Sequence, residues 1–451
     1  MTLQMEVFTL ISNLKSKRIS LLLGMSILGT AVLAGCGQEP AGRESGSGPQ
    51  PASAKAVDTT PVTLKFAVHL PITEEFKQLY IEPVTKKYPH ITLELSNVTS
   101  FKAYDELIAS GDLPDLYISF NGNMPGLKER AINMDMKPLF GKNPVDLNRF
   151  EQNYLDDIQY AATEKGELYG LPIETGFHAL YYNKDIFDKF GVPYPKDGMT
   201  IEDATELAKK VTRVDNNVQY RGWDVGSIVR MAQPLGLEYI DRKTEKAITS
   251  SESWKRVFEL GKHIYSIPGN EPSQDSKKNG LNGFIKDRSI AMLNETSKFS
   301  QLKEADGLDW DVVQHPYYKD RPNIYGNSTV YMVGAVPTTK RMDQVLQVIE
   351  VLTSDEVQMN VSKSGRISPL KNAAVKKAFG QGDPVLKDKN IAGIVKSTPV
   401  KYPIYLYREI AEPLTTKKFD AFLKGLDDVN TVLRELDEEI NKAVEIEKVR
   451  K

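Results

Sequence analysis

The chain has 451 residues, 58 of them basic and 60 acidic, for a formal charge of −2, and it contains a single cysteine. That balance excludes a basic nucleic-acid-binding surface. One cysteine excludes a disulfide-stapled fold, so stability must come from core burial, which a chain long enough for two or three domains of ~150 residues can supply.

In chain order, the first feature is a basic stretch (Lys15, Lys17, Arg18) followed by an apolar run from Ile19 to Leu33 and then Leu33-Ala34-Gly35-Cys36. This is the layout of a secretory signal, and a cysteine after Leu-Ala-Gly resembles the lipobox of bacterial lipoproteins. The expectation is a signal over residues 1–35, removed before Cys36, whose thiol carries a lipid. Removing that segment, with its three basic residues and one acidic residue, takes the formal charge to −4. Residues 36–60 then form a tether. From 37 onward it is rich in Gly, Pro, Ser and Ala and lacks Leu, Ile, Met and Phe, so it cannot bury enough apolar surface to fold.

The body opens with alternating strands and helices: a strand over Val62–His69, a helical stretch Thr73–Tyr88 interrupted by Pro83, a strand His90–Ser96, a helix Tyr104–Ser110 stopped by Gly111, and a strand Asp115–Phe120. Such alternation predicts an α/β fold built on a mostly parallel sheet. Ligands bind beyond the carboxyl ends of such strands, which points to the loops His69–Thr73, Asn97–Phe101 and Asn121–Pro125. Further on, Gly176–Tyr182 reads as a buried strand, and Thr200 with Asp203 as a capping box for a helix over Ile201–Val211. Trp254, with Phe258 one turn later, reads as core. Asp427–Lys448 reads as an amphipathic surface helix through Val429, Leu433, Leu436 and Ile440.

Four stretches in order resemble the family 1 extracellular solute-binding proteins of ABC importers, the group similar to maltose-binding protein. They are Gly111-Asp112-Leu113-Pro114-Asp115-Leu116; Tyr169-Gly170-Leu171-Pro172 with Leu180-Tyr181-Tyr182-Asn183-Lys184-Asp185-Ile186-Phe187; Phe284 to Met292, where Asp287 replaces the family's glycine; and Val333-Gly334-Ala335-Val336-Pro337 with Gly365-Arg366-Ile367-Ser368-Pro369. The resemblance implies two α/β lobes joined by a hinge, a periplasmic-binding-protein-like fold. Lobe one is expected over 61–172 and 317–365 and lobe two over 177–313 and 370–451, with crossings near 172–176, 314–316 and 365–369. The cleft between the lobes would take a sugar or oligosaccharide.

Sugar recognition needs flat apolar faces and planar polar groups. Trp223, in the glycine-flanked segment Arg221-Gly222-Trp223-Asp224, is the candidate stacking platform, with core packing as its alternative. Glu174, Thr175, Phe177 and His178 flank the first crossing. His69 and Asn121 follow strands by the strand-end rule, as do Asn294 and Glu295. Tyr325 and Asn327 precede an apolar strand, in a segment whose polar and aromatic mix suits a cleft loop. Arg366 stands at the third crossing, where it would clasp hydroxyls or a carboxylate, or form an interlobe salt bridge. Tyr402 and Tyr405 match, by resemblance, an aromatic contact in the family's C-terminal segment.

The five histidines have no metal-ligand spacing, and no nucleophile elbow, HExxH or phosphate-binding loop is present; no cofactor or metal is expected. The resulting expectation is a non-catalytic, monomeric binding subunit. It would be moored by lipid to the outer face of the cell membrane, capture a carbohydrate and deliver it to ABC permease subunits. The rivals are a surface-anchored polysaccharide hydrolase or lyase, and a non-transport receptor for a membrane sensor.

Overall fold

A computed structural model describes residues 59–141, 145–161, 166–327, 329–403, 405–425 and 427–450. The expected signal (1–35), Cys36 and all but the last two residues of the tether lie outside the described residues.

Twelve strands follow one another along the described chain: β1 Val62–Val68, β2 Ile91–Asn97, β3 Leu116–Phe120, β4 Leu171–Thr175, β5 His178–Asn183, β6 Arg213–Asp215, β7 Val218–Asp224, β8 Ile290–Thr296, β9 Trp310–Gln314, β10 Ile324–Asn327, β11 Val330–Ala335 and β12 Thr398–Val400. They form two five-stranded sheets, β2-β1-β3-β11-β4 and β6-β7-β8-β5-β9, and a small β10-β12 pair. Helices flank both sheets. The fold is therefore α/β with two lobes, as the sequence implies.

The early elements fall where periodicity places them. The helical stretch expected over Thr73–Tyr88 spans Glu74–Phe76, Lys77–Ile81 and Glu82–Lys87, with a π turn in the middle. Pro83 does not break it, because it follows directly on the π turn, where the i→i−4 ladder is already interrupted. Thr73 caps its start, its side chain accepting from Phe76 N. The helix Phe101–Ser110 is capped by Ser100 and ends at Gly111, whose φ of 70° suits glycine best. At Thr200 the capping box with Asp203 is complete, a feature that stabilises a helix start by about 1 kcal/mol.

Strand direction departs from the expectation. β1 runs parallel to β2 and β3, but β11 runs antiparallel to both β3 and β4. In the second sheet only β7 and β8 are parallel. The reason lies in the connections. A helical crossover within one sheet enforces parallel pairing, whereas β11 enters after a passage through the other half of the molecule.

Alternation of side chains explains the cores. One cluster, with Phe66, Ile118, Leu171, Val333 and Val348, packs on the first sheet. The second sheet is buried on both faces. Leu180, Tyr182, Trp223 and Met292 face one cluster, while Ala179, Tyr181, Leu293 and Val312 face another. The C-terminal helix Val429–Arg450 buries Leu433, Leu436 and Ile440 in the former, as does Trp254, whose indole donates to Glu238 O at 3.0 Å.

Two stretches pack away from the lobe expected for them. Residues 317–327 belong with the second sheet: Tyr318 is buried in its core and its hydroxyl donates to Met231 O at 2.7 Å, the polar anchor a buried tyrosine requires. Residues 370–382 stay partly with the first, since Val375 O accepts from Ser362 Oγ at 2.6 Å and Gly380 N donates to Ser362 O at 2.8 Å. Among the described residues no helix is long and apolar enough to cross a membrane.

Candidate functional site

The chain passes between the sheets at 175–178, leaving Glu174 at the end of β4. Beside it, Thr175 N donates to Ile367 O at 2.9 Å, which brings Arg366 next to Glu174. The loop after β1 adds Glu75 and Tyr80 from the helical stretch it opens. The Tyr80 hydroxyl donates to Glu174 Oε2 at 2.5 Å. Arg366 reaches Glu174 through Nε at 3.3 Å and Glu75 through Nη2 at 2.8 Å, and its Nη1 donates to Ser364 Oγ at 2.8 Å. Lys303, on the helix Phe299–Lys303 that packs on the second sheet, bonds Glu75 at 3.3 Å and Asp383 at 2.8 Å. Burial alone would raise the Glu75 carboxyl, but the bonds from Arg366 and Lys303 overcome it and hold the group below the usual carboxylate range. Burial and the neighbouring Glu174 push the Tyr80 hydroxyl well up, so it stays a donor.

Glu75, Tyr80, Glu174 and Arg366 wall a cavity of about 630 Å³. One side is the loop Leu70–Pro71 with Phe76, Tyr80, Glu174 and Tyr331. The other is Thr296 to Gln301, at the end of β8. Its volume falls in the range of ordinary small-molecule sites. A second cavity of about 380 Å³ lies among Phe101, Gly122, Arg130, Tyr405, Tyr407 and Arg408. Phe120 stands between the two. Its ring is 6.0 Å from Tyr331 and 5.1 Å from His69, and the Arg408 guanidinium lies 5.3 Å over it. His69 is held down in pKa by burial, with the Arg408 charge adding to the effect.

Of the residues singled out from sequence, Glu174, Thr175 and Arg366 line the larger cavity and Tyr405 the smaller. Arg366 forms salt bridges, but both its partners, Glu75 and Glu174, stand on the first sheet's side, so the pairs do not cross between the lobes as expected for it. Glu295 binds Arg230 at 2.8 Å beside Lys298. Asn121 is fully buried, its side chain accepting from Val330 N at 3.2 Å. Asn327 donates to the Tyr405 hydroxyl at 2.9 Å, and Tyr402 N donates to Asp157 Oδ1 at 2.9 Å. Tyr325 and His178 are buried against each other at 5.5 Å.

Two expectations are corrected. Trp223 is no stacking platform: it is fully buried on β7, its indole donating to Asn294 Oδ1 at 3.4 Å, and Asn294 is buried with it. The adjacent glycine misled. Gly222 is not a loop glycine; a Cβ there would lie 2.2 Å from Ala208 O, so the helix Ile201–Val211 can lie this close only on glycine. Phe177 is likewise core, packed 5.2 Å from Phe299.

Sequence reasoning missed Glu75, Phe76, Tyr80, Phe120, Tyr331 and Arg408. The strand-end rule ended one loop at Thr73, two residues short of Glu75, and began another at Asn121, one residue past Phe120. Arg408 carried a signal only through its closeness to Tyr402 and Tyr405.

Residues 70–359 match the family model for bacterial extracellular solute-binding proteins. The chain belongs to that family. The two-lobed fold has solved counterparts at low identity. An ABC substrate-binding protein of Listeria monocytogenes in complex with cycloalternan superposes with a TM-score of 0.72 at 18% identity, covering 86% of this chain and 99% of that one. An ABC transporter solute-binding protein of Thermotoga lettingae bound with α-D-tagatose gives 0.66 at 19%, covering 84% and 99%. UgpB from Mycobacterium tuberculosis with glycerophosphocholine gives 0.66 at 14%, covering 86% and 99%. In this solute-binding protein, both cavities open beside loops at strand ends.

Proposed function

We propose that this solute-binding protein captures a sugar or oligosaccharide between its lobes and hands it to the transmembrane subunits of an ABC permease, without chemical change to the solute. The observation that carries the reading is the 630 Å³ cavity, whose walls come from strand ends of both sheets and whose floor holds the planar pair Glu174 and Arg366. Carboxylate and guanidinium planes suit paired hydrogen bonds to neighbouring hydroxyls, and the aromatic rings of Tyr331 and Phe76 in the lining suit the apolar face of a sugar ring. Closure follows from linkage. A ligand that touches both walls binds the closed form better than the open one, and several kcal/mol of such difference moves the equilibrium nearly completely. On this reading the lobes meet at crossings near 172–176, 327–330 and 365–369. The protein acts as a monomer outside the cytoplasm, tethered through a lipid on Cys36.

A thermal-shift screen over mono- and oligosaccharides tests the assignment. A sugar at 100 times its Kd adds about 2.7 kcal/mol to stability, and the same sugar should contract the scattering profile. If no sugar raises the melting point while another solute class does, the carbohydrate reading is wrong. New reducing ends after incubation with glycans would instead make the protein a hydrolase.

A further inference from the structure

The folds that superpose here hold cycloalternan, tagatose or glycerophosphocholine in their own structures, so the architecture leaves the charge of a solute open. The lining of the larger cavity narrows it. Its charged residues are Glu74, Glu75, Glu174 and Glu304 against Lys298 and Arg366. Both cations are already engaged. Arg366 holds Glu75 at 2.8 Å and Glu174 at 3.3 Å, and Lys298 lies 3.7 Å from Glu295. Lys303, behind the wall, is engaged by Glu75 and Asp383. An entering carboxylate or phosphate would have to take Arg366 from its two carboxylates, leaving a like charge beside them in a half-buried site, which is strongly unfavourable. A hydroxyl meets the opposite situation. It can donate to an ionised carboxylate, which accepts at several lone-pair positions, without breaking the pairs.

We propose, building on the carbohydrate reading above, that this cavity takes an uncharged polyhydroxyl solute and rejects the anionic form of the same solute. The excess of carboxylates sets the selection, and Glu75 contributes to it directly, because it occupies both Arg366 and Lys303.

The test uses matched probes. Neutral tri- and tetrasaccharides of glucose, mannose and galactose are compared by calorimetry with the same oligosaccharides after oxidation of their primary alcohols to carboxylates. The neutral pool is expected to bind at least tenfold more tightly than the oxidised one. In Glu75→Gln, which removes one carboxylate and loosens two cations, that gap should shrink at least threefold. Equal or tighter binding of the oxidised pool by the unaltered chain overturns the proposal. So does a gap that Glu75→Gln leaves unchanged, since the lost hydroxyls rather than the charge would then have been read. Binding of neither pool overturns the carbohydrate reading, and the charge selection falls with it.

Discussion

Two buried polar clusters lie four residues apart on the chain, and they meet the cost of burial in opposite ways. Around Glu174 the groups remain charged and are paired: Arg366, Glu75, Tyr80 and Lys303 satisfy one another. Around His178 they are neutral. His178, on β5, and His315, just past the end of β9, face each other at 5.9 Å, both almost fully buried, with His178 Nδ1 and Gln233 Oε1 lacking a hydrogen-bond partner among the described residues. Burial drives the His178 pKa well below its ordinary value, with His315 and Arg230 adding to the effect. Burial likewise takes His315 to about 4, and Arg230 again pushes the same way. The difference teaches what each cluster can tolerate. A paired network fails when one member is removed, while a neutral one fails when a proton is added.

The largest effect should come from breaking the paired cluster. Arg366→Met leaves Glu75 and Glu174 side by side without their shared cation. Removing one partner of a buried pair destabilises by about 3–5 kcal/mol, and the partial exposure of this one places it near about 3 kcal/mol. Glu174→Gln, which keeps the shape and a carbonyl oxygen to accept from Tyr80, should cost less than half as much. Urea midpoints for the two variants check the order. Equal losses would mean that Arg366 acts through packing rather than charge.

The neutral cluster should respond to acid. Both histidines have folded pKa values below their unfolded ones, so the unfolded chain binds more protons and stability falls as pH falls. The His315 contribution is complete above pH ~6.5 and is lost progressively between there and about pH 4, and the His178 contribution falls in the same direction. His315 alone should account for roughly 2 kcal/mol by pH 5. The paired cluster loses stability lower down, because the depressed Glu75 carboxyl must be protonated below its ordinary range. Urea midpoints measured from pH 7 to pH 5 should therefore decline in the unaltered chain and decline less in His315→Gln. A flat profile in the unaltered chain would show that water or protons already reach the pair.

The two clusters also show how far the sequence could be read. Strand order near the N-terminus, the capping box at Thr200 and the core role of Trp254 follow from local pattern, because period and capping are local physics. Glu174, Thr175 and Arg366 were reachable because Pro and Gly punctuate the crossings they flank. Trp223 was not, since Gly222 answers a helix 14 residues earlier in the chain, at Ala208, and a glycine that serves close packing looks the same in sequence as one that serves a loop. Nor was the Glu75–Lys303 pair, whose members are 228 residues apart and meet only when both lobes are in place.

That pair supplies the smallest and most local expectation. Lys303 stands on the side of the second sheet and Glu75 on the side of the first, so their bond at 3.3 Å ties the cavity's two walls together. Its side chain is 17% exposed and Asp383 also engages it. Glu75 keeps Arg366 in Lys303→Met, so only Asp383 loses its ion-pair partner, and with most of the apolar stem retained global stability should fall by about 1–2 kcal/mol, less than in Arg366→Met. The arrangement of the lobes should change more than the stability does. Without sugar, small-angle scattering should give a larger radius of gyration for Lys303→Met than for the unaltered chain, and sugar affinity should fall two- to fivefold, because closure then begins from a more open distribution. Raising the salt concentration should move the unaltered chain in the same direction by a smaller amount, since a largely buried pair is screened only in part. An unchanged radius together with an unchanged affinity would show that the walls are held by the apolar contacts around Phe299 and Phe177 alone, and that the ion pair only decorates a joint fixed by packing.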